Sequence, residues 1–433
     1  MSRSSRIHRR IAIPLAAACA VLGAGVCAAQ DITETVRFAP VDLGFAASWG
    51  GCMAVDENLL VVGVLAQTYG GSMNSLATLH DLATGAIYAP LVPPDPLQEG
   101  YAARVAIDGT TAAVASRESV FIFDVGDPFE PVLLHEITVS PAPDYLPVSQ
   151  IEISEGLLFA SWGYMEPLVE TNGEMLIFDL ATAEHLSTIT PPEPNTDFGR
   201  SFAVDGDTLL VGAPGFEGSD LHGNLYAYDI STPETPVLLS NLGMSGISDD
   251  YYYFSGRVGA ENGIAFAMVT NGRAVVIDYA DPSAPVPLAL FQATSYYSDP
   301  STVVIDFEGD VVLLGTDLGD LGDAPLIDLT DPTAPERIAR FVPSDGYTNP
   351  PGSNLLRFFG CAAAISGNRV VIGASGHNWR DTAAGAAYLF DLPAGPAPCA
   401  IADLAEPWGV LDLADIAAFI DGFIDGFTAG CME

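Results

Sequence analysis

One unit recurs through most of this chain: an alternating apolar strand ending on a Gly or Ala step, a variable loop, and a second strand that stops at an Asp. The clearest copy, FGRSFAVDGDTLLVGAP, runs from Phe198 to Pro214 and continues as GNLYAYDIS from Gly223 to Ser231. Strong copies also begin at Trp49 and Phe359, and weaker ones near Tyr101, Ser149, Phe254 and Thr302. The strand-ending residues are Asp81, Asp124, Asp179, Asp229, Asp278, Asp328 and Asp391. They lie about 50 residues apart, the length of one four-stranded blade. Near-equal repeats of this kind favour radial closure, because a ring leaves only short, protected sheet edges. Helical periodicity is nearly absent before residue 400, which removes a helical solenoid. The expected fold class is therefore all-β, a seven-bladed β-propeller over residues 30–392, with a small helical tail over 399–433 beyond a Pro-rich linker at 393–398.

In four copies the aspartate opens a turn with two prolines: DVGDPFEPVLL from Asp124, DISTPETPVLL from Asp229, DYADPSAPVPL from Asp278 and DLTDPTAPERI from Asp328. The Asp side chain caps the turn, the first Pro fixes φ, and the second opens an outermost strand whose free edge needs no donor. Ile32 to Val41 reads as one strand without a hairpin partner, and the last copy lacks an outer strand after Asp391. The N-terminal strand is thus expected to complete the last blade. That closure brings Cys52 and Cys361 to nearly the same point of neighbouring innermost strands. Either they form a disulfide that clasps the ring or they are two buried thiols; Cys399 and Cys431 then pair separately.

Residues 1–29 have the pattern of a signal peptide: Arg3, Arg6, Arg9 and Arg10, an apolar run from Ile11 to Val26, and small residues at Ala28 and Ala29. No other apolar stretch reaches membrane-spanning length. The chain has no Lys, and its formal net charge is −40. Such a surface repels nucleic acid, which is held by clustered Arg and Lys. Lack of Lys also removes a P-loop and a Schiff base, and no G-x-S-x-G elbow, H-E-x-x-H helix or C-x-x-C pair occurs. His80, His135, His185, His222 and His377 are scattered among different repeats. Paired carboxylates for glycoside chemistry remain open, since 55 acids offer many pairs and no motif selects two.

Phe198-Gly199 with Gly212-Ala213-Pro214, and Phe359-Gly360 with Gly373-Ala374, resemble the FG-GAP repeat of integrin-like propellers. The Asp-x-x-Asp-Pro-x-x-Pro turns are similar to the LVIVD repeat of bacterial surface propellers. The FG-GAP likeness implies a calcium loop in some blades. Asp317, Asp320 and Asp323 are the nearest candidates, with an acidic solvent loop as the alternative. The tail, CAIADLAEPWGVLDLADIAAFIDGFIDGFTAGC, resembles the GC-type dockerin-like domains of exported planctomycete proteins. That resemblance implies Ca²⁺ ligands at Asp403, Asp412 and Asp415, with Glu406 substituting near the usual ligand position that Ala405 occupies. It also implies an amphipathic helix with Leu413, Ile416, Phe419, Ile420, Phe423 and Phe427 on one stripe.

These features together lead to the expectation of an exported, monomeric, non-catalytic propeller at the cell surface, outside the cell or in the periplasm. It would bind a protein or a cell-surface glycan and be tethered through its dockerin-like tag. Loops such as Gly215 to His222 and Gly376 to Asp381 would carry the ligand. The rival expectation is a secreted polysaccharide hydrolase or lyase that uses carboxylates in the channel.

Overall fold

The computed structural model describes residues 30–38, 47–66, 76–95, 101–139, 148–162, 173–193, 197–215, 223–243, 253–294, 303–316, 324–344, 359–375, 378–379, 382–383 and 385–392. They build seven blades, each with four antiparallel strands ordered from the inside outward, and segments from the chain start complete the outer edges of blades 6 and 7. The first strands are Ala47–Asp56, Arg104–Asp108, Gln150–Ser154, Ser201–Asp205, Val258–Glu261, Val303–Glu308 and Phe359–Ser366, in blades 1 to 7. Each touches the first strand of the next blade, and the seventh touches the first, so together they form a closed inner ring.

The middle strands read as continuous apolar runs because each blade is covered on both faces by its neighbours. Ser119–Asp124 (SVFIFD), Glu174–Asp179 (EMLIFD) and Arg273–Asp278 (RAVVID) are buried along nearly their whole length. Aromatic side chains fill the wedges between blades. Phe198, Phe202, Tyr226 and Tyr228 join blades 3 and 4, and Phe341 meets Phe390 at 5.0 Å between blades 6 and 7. Outermost strands face solvent instead, with Val132 and Val237 more than half exposed.

The strand-ending aspartates act as turn caps. Asp124, Asp229, Asp278 and Asp328 each accept a hydrogen bond from the backbone N–H two residues on, at 2.7–2.9 Å. In the Pro turns a second aspartate repeats the device: Asp127, Asp281 and Asp331 accept from Phe129, Ser283 and Thr333. These side chains offer the backbone a turn where the strand ends.

The chain start differs from the expectation of one strand over 32–41. Gln30–Thr33 lies parallel to Glu336–Val342 and makes blade 6 five-stranded. Val36–Phe38 lies antiparallel to Ala386–Asp391 as the outermost strand of blade 7. Two opposed anchors divide the segment. The Glu34 carboxylate accepts from the Ser344 backbone N–H and hydroxyl, while the Thr35 N–H and hydroxyl donate to Leu389 O at 2.8 and 3.2 Å. Phe38 then enters the seam between blades 7 and 1, against Leu60, Val62, Val371 and Leu389. Residues 393–433 lie outside the described residues, so the expected helical tail does too.

Candidate functional site: the central channel and the loop face

Polar side chains on the first strands reach forward, each onto the backbone of the next blade. Counting back from the last residue of each strand, the fourth position carries Cys52, Arg104, Gln150, Ser201 and Arg257 in blades 1 to 5. Cys52 Sγ donates to Ala102 O at 3.1 Å, Arg104 Nε to Ser149 O at 2.6 Å, Ser201 Oγ to Ser255 O at 3.1 Å and Arg257 Nε to Val303 O at 2.9 Å. Gln150 closes both sides of Phe202, donating to its carbonyl and accepting from its N–H. Blade 6 has Val304 there and substitutes carboxylates: Asp306 accepts from Ile365 N–H at 2.8 Å and Glu308 from Gly367 N–H at 3.0 Å.

Carboxylates repeat the clasp at the far ends of the strands. Asp56 accepts from Gly109 N–H, Asp205 from Gly263 N–H and Glu261 from Gly309 N–H, each across a blade boundary. Hydrogen bonds to charged groups contribute up to roughly 1.5–3 kcal/mol each where water is excluded, and less at the solvent-exposed Asp56 and Glu308 clasps. The acids of the inner ring are therefore fasteners between blades.

Glu152 and Asp306 differ from the other acids. They stand on blades 3 and 6, partly exposed to the channel yet enclosed by protein elsewhere. Burial pushes Glu152 up to about 8, and the negative charge of Asp306 adds to the shift. Burial likewise pushes Asp306 up to about 7, with Glu308 and Glu261 contributing. The unfolded chain ionises both near their ordinary values of 4.5 and 3.8, so the folded state holds more protons between those values and about 8. Stability is therefore expected to fall as pH rises through that window. Glu152→Gln should raise the thermal midpoint at pH 8 and leave it nearly unchanged at pH 4; scanning calorimetry of both proteins at the two pH values checks this.

Arginines and thiols occupy the end of the channel where the first strands begin. Arg257 Nη1 donates to Arg200 O at 3.3 Å, and Arg104 is close enough to Arg200 for their charges to repel. Cys52 and Cys361 are not joined in a disulfide, which is the second of the two alternatives the sequence left open. They are one position out of register, fourth before Asp56 and fifth before Ser366, and both reach the same way around the ring. Cys52 turns away from blade 7 to blade 2, while Cys361 donates to Gly50 O at 3.4 Å and accepts from Ser375 N–H. Burial raises Cys52 to about 12, which keeps it a protonated donor.

Among the described residues no group of three or more His, Cys, Asp or Glu is placed to hold a metal ion. Asp317, Asp320, Asp323, Asp403, Glu406, Asp412, Asp415, Cys399 and Cys431 lie outside those residues, as do His222 and His377. His80 is packed and neutral: burial lowers it to about 4, and its Nε2 lies 2.8 Å from Thr78 Oγ1. His135 of blade 2 meets Ala181 O of blade 3 at 3.0 Å, and His185 meets Thr188 Oγ1 within blade 3. Glu152 and Asp306 escaped the sequence reading. Their signal is an acid between large apolar residues of an innermost strand, in QIEIS and VVIDFE.

The two ends of the channel have different surroundings. First and second strands are joined by two-residue turns such as Gly206–Asp207. Longer connections, including 67–75, 163–172, 216–222, 317–323 and 345–358, all join strand ends on the opposite face, where the first strands and the arginines begin. Gly215 is described, but 216–222 and most of 376–384 are not. Among the described residues no helix is long and apolar enough to cross a membrane.

The FG-GAP repeat model matches residues 336–390, from the outer strand of blade 6 through blade 7. No curated protein matches. Among solved structures, Raptor from Chaetomium thermophilum is similar with a TM-score of 0.54 and 14% identity. That match covers 82% of this chain, which spans only 29% of the Raptor chain. A protein from Lactobacillus plantarum has a TM-score of 0.48 and 11% identity, over 67% of this chain and 84% of that one. A hypothetical selenium-binding protein from Sulfolobus tokodaii has a TM-score of 0.49 and 13% identity, over 76% and 84%. The last two likenesses are too loose to argue from, and the first speaks to fold alone. The chain is a seven-bladed β-propeller with an FG-GAP repeat matched at its last blade.

Proposed function

We propose that this chain is an exported, non-catalytic propeller that binds a protein or cell-surface glycan through its loop face and is tethered by a dockerin-like tail. One observation carries the reading: polar groups of the inner ring are committed to the backbone of neighbouring blades, while long connections gather on a single face. A rigid ring that presents variable loops from one side is an arrangement suited to recognition. Glu152 and Asp306 favour the rival hydrolase or lyase, since buried acids with raised values are what general acid chemistry uses. Each nevertheless accepts a backbone N–H from the next blade, as a fastener does.

The test is sedimentation of the mature protein with the producing cell's envelope fraction. Replacing 216–222 and 376–381 by Gly-Ser segments of equal length should abolish co-sedimentation, and Glu152→Gln should leave it intact. Undiminished binding after the loop exchange sinks the loop-face reading. Calcium belongs to the same proposal through Asp403, Glu406, Asp412 and Asp415 of the tail. Titration calorimetry should show Ca²⁺ heat in the whole chain and a loss of at least tenfold in affinity in Asp412→Asn/Asp415→Asn.

A further inference from the structure

The channel end below the loop face holds positive charge in a chain that is otherwise strongly negative, with a net charge of −40. Arg104 and Arg257 stand at the same register on blades 2 and 5, and Arg200 stands one residue earlier on blade 4. Arg257 Nη1 bonds to the Arg200 carbonyl, and Arg104 and Arg200 repel each other. The hydrogen bonds of Arg104 go to two backbone carbonyls, Ser149 O and Ala103 O. Carbonyl dipoles satisfy its geometry without neutralising its charge.

Arg200 is 8% exposed, and its Nε is buried with no hydrogen-bond partner. Burying a guanidinium is costly unless an anion meets it, and an N–H left empty adds to that cost. The planar guanidinium fork fits oxyanions in two-point contact, and an enclosed channel strengthens such contacts. We propose that Arg104, Arg200 and Arg257 form a receptor for one oxyanion, a carboxylate or sulfate group, that enters the channel from the loop face. The site is independent of the loop-face reading, because it needs no contact from the loops.

Two probes separate a free ion from a protein side chain: sodium sulfate, and N-acetyl-aspartate amide, which carries the side-chain carboxylate alone. Each is titrated calorimetrically into the mature protein at ionic strength held constant with sodium chloride, and thermal midpoints are read in parallel. A saturable heat and a rising midpoint are expected for at least one probe, and the tighter of the two names the source. Arg200→Gln should weaken that probe at least tenfold. Arg200→Lys, which keeps the charge and disturbs packing less, should weaken it severalfold, and Arg369→Gln on blade 7 should bind as wild type does. Circular dichroism confirms that each variant is folded. Absence of a saturable response in the wild type would mean that nearby acids such as Asp197 already neutralise the cluster, and it overturns the proposal. An unchanged response in folded Arg200→Gln does the same.

Discussion

Phe38→Ala is expected to lower the unfolding free energy by about 4 kcal/mol, within the range for truncating a buried Phe. Phe38 is 2% exposed and fills the seam where the last blade meets the first. Its strand, Val36–Phe38, is the only part of blade 7 that comes from the other end of the described chain. Gly85 leaves room for it, since a Cβ there would sit 2.0 Å from the Phe38 ring. Loss of the ring therefore removes the wedge that makes the ends of the propeller one surface. Urea unfolding checks the magnitude, and hydrogen exchange should show Ala386–Asp391 losing protection first. A loss below about 1 kcal/mol would mean that the seam holds without its aromatic wedge.

The second large effect is expected at Gly373→Ala, about 3 kcal/mol, at the upper end of overpacking costs. An added Cβ at Gly373 would lie 2.1 Å from the backbone oxygen of Gly50 in blade 1, an atom that cannot rotate away. The same position recurs around the ring: Gly212 faces Ser255 O at 2.3 Å and Gly315 faces Gly360 O at 2.4 Å. Gly126→Ala is the control, because its Cβ would meet only Asp124 Oδ1 at 3.0 Å and Thr110. Thermal unfolding of the two variants side by side should separate them by several degrees.

This recurrence shows why the blades were legible in the sequence. The Gly step exists because a neighbouring backbone passes close by, and the strand-ending Asp exists because a turn needs a cap, so both signals are local and repeat with the blade. The division of the N-terminal segment was not legible. It depends on Glu34 finding Ser344 and Thr35 finding Leu389, contacts more than 300 residues distant that no local pattern announces. The choice between a Cys52–Cys361 bridge and two thiols was likewise left open by the sequence. The two strand starts carry equivalent bulges, and Cys361 lies inside its bulge whereas Cys52 follows its own and pairs with Gly63, so the one-residue offset changes what each side chain meets. Glu152 and Asp306 were hidden among 55 acids, because only ring closure turns an alternating strand position into an enclosed one. Arg200 was hidden in the FG-GAP phrase itself, directly after Phe198-Gly199, where no local pattern marks it as buried.

The acids of the inner ring fasten neighbouring blades, and whether any of them also performs chemistry decides between the proposed binding propeller and its hydrolase or lyase rival. The most direct test is incubation of the mature protein, and of Glu152→Gln/Asp306→Asn, with a panel of neutral and uronate-containing polysaccharides. Reducing ends and the ultraviolet absorbance of unsaturated uronates are followed together. The account predicts no release by either protein, with the double variant more stable than the wild type at pH 8. Release by the wild type that disappears in a folded double variant would contradict it and make the channel an active site.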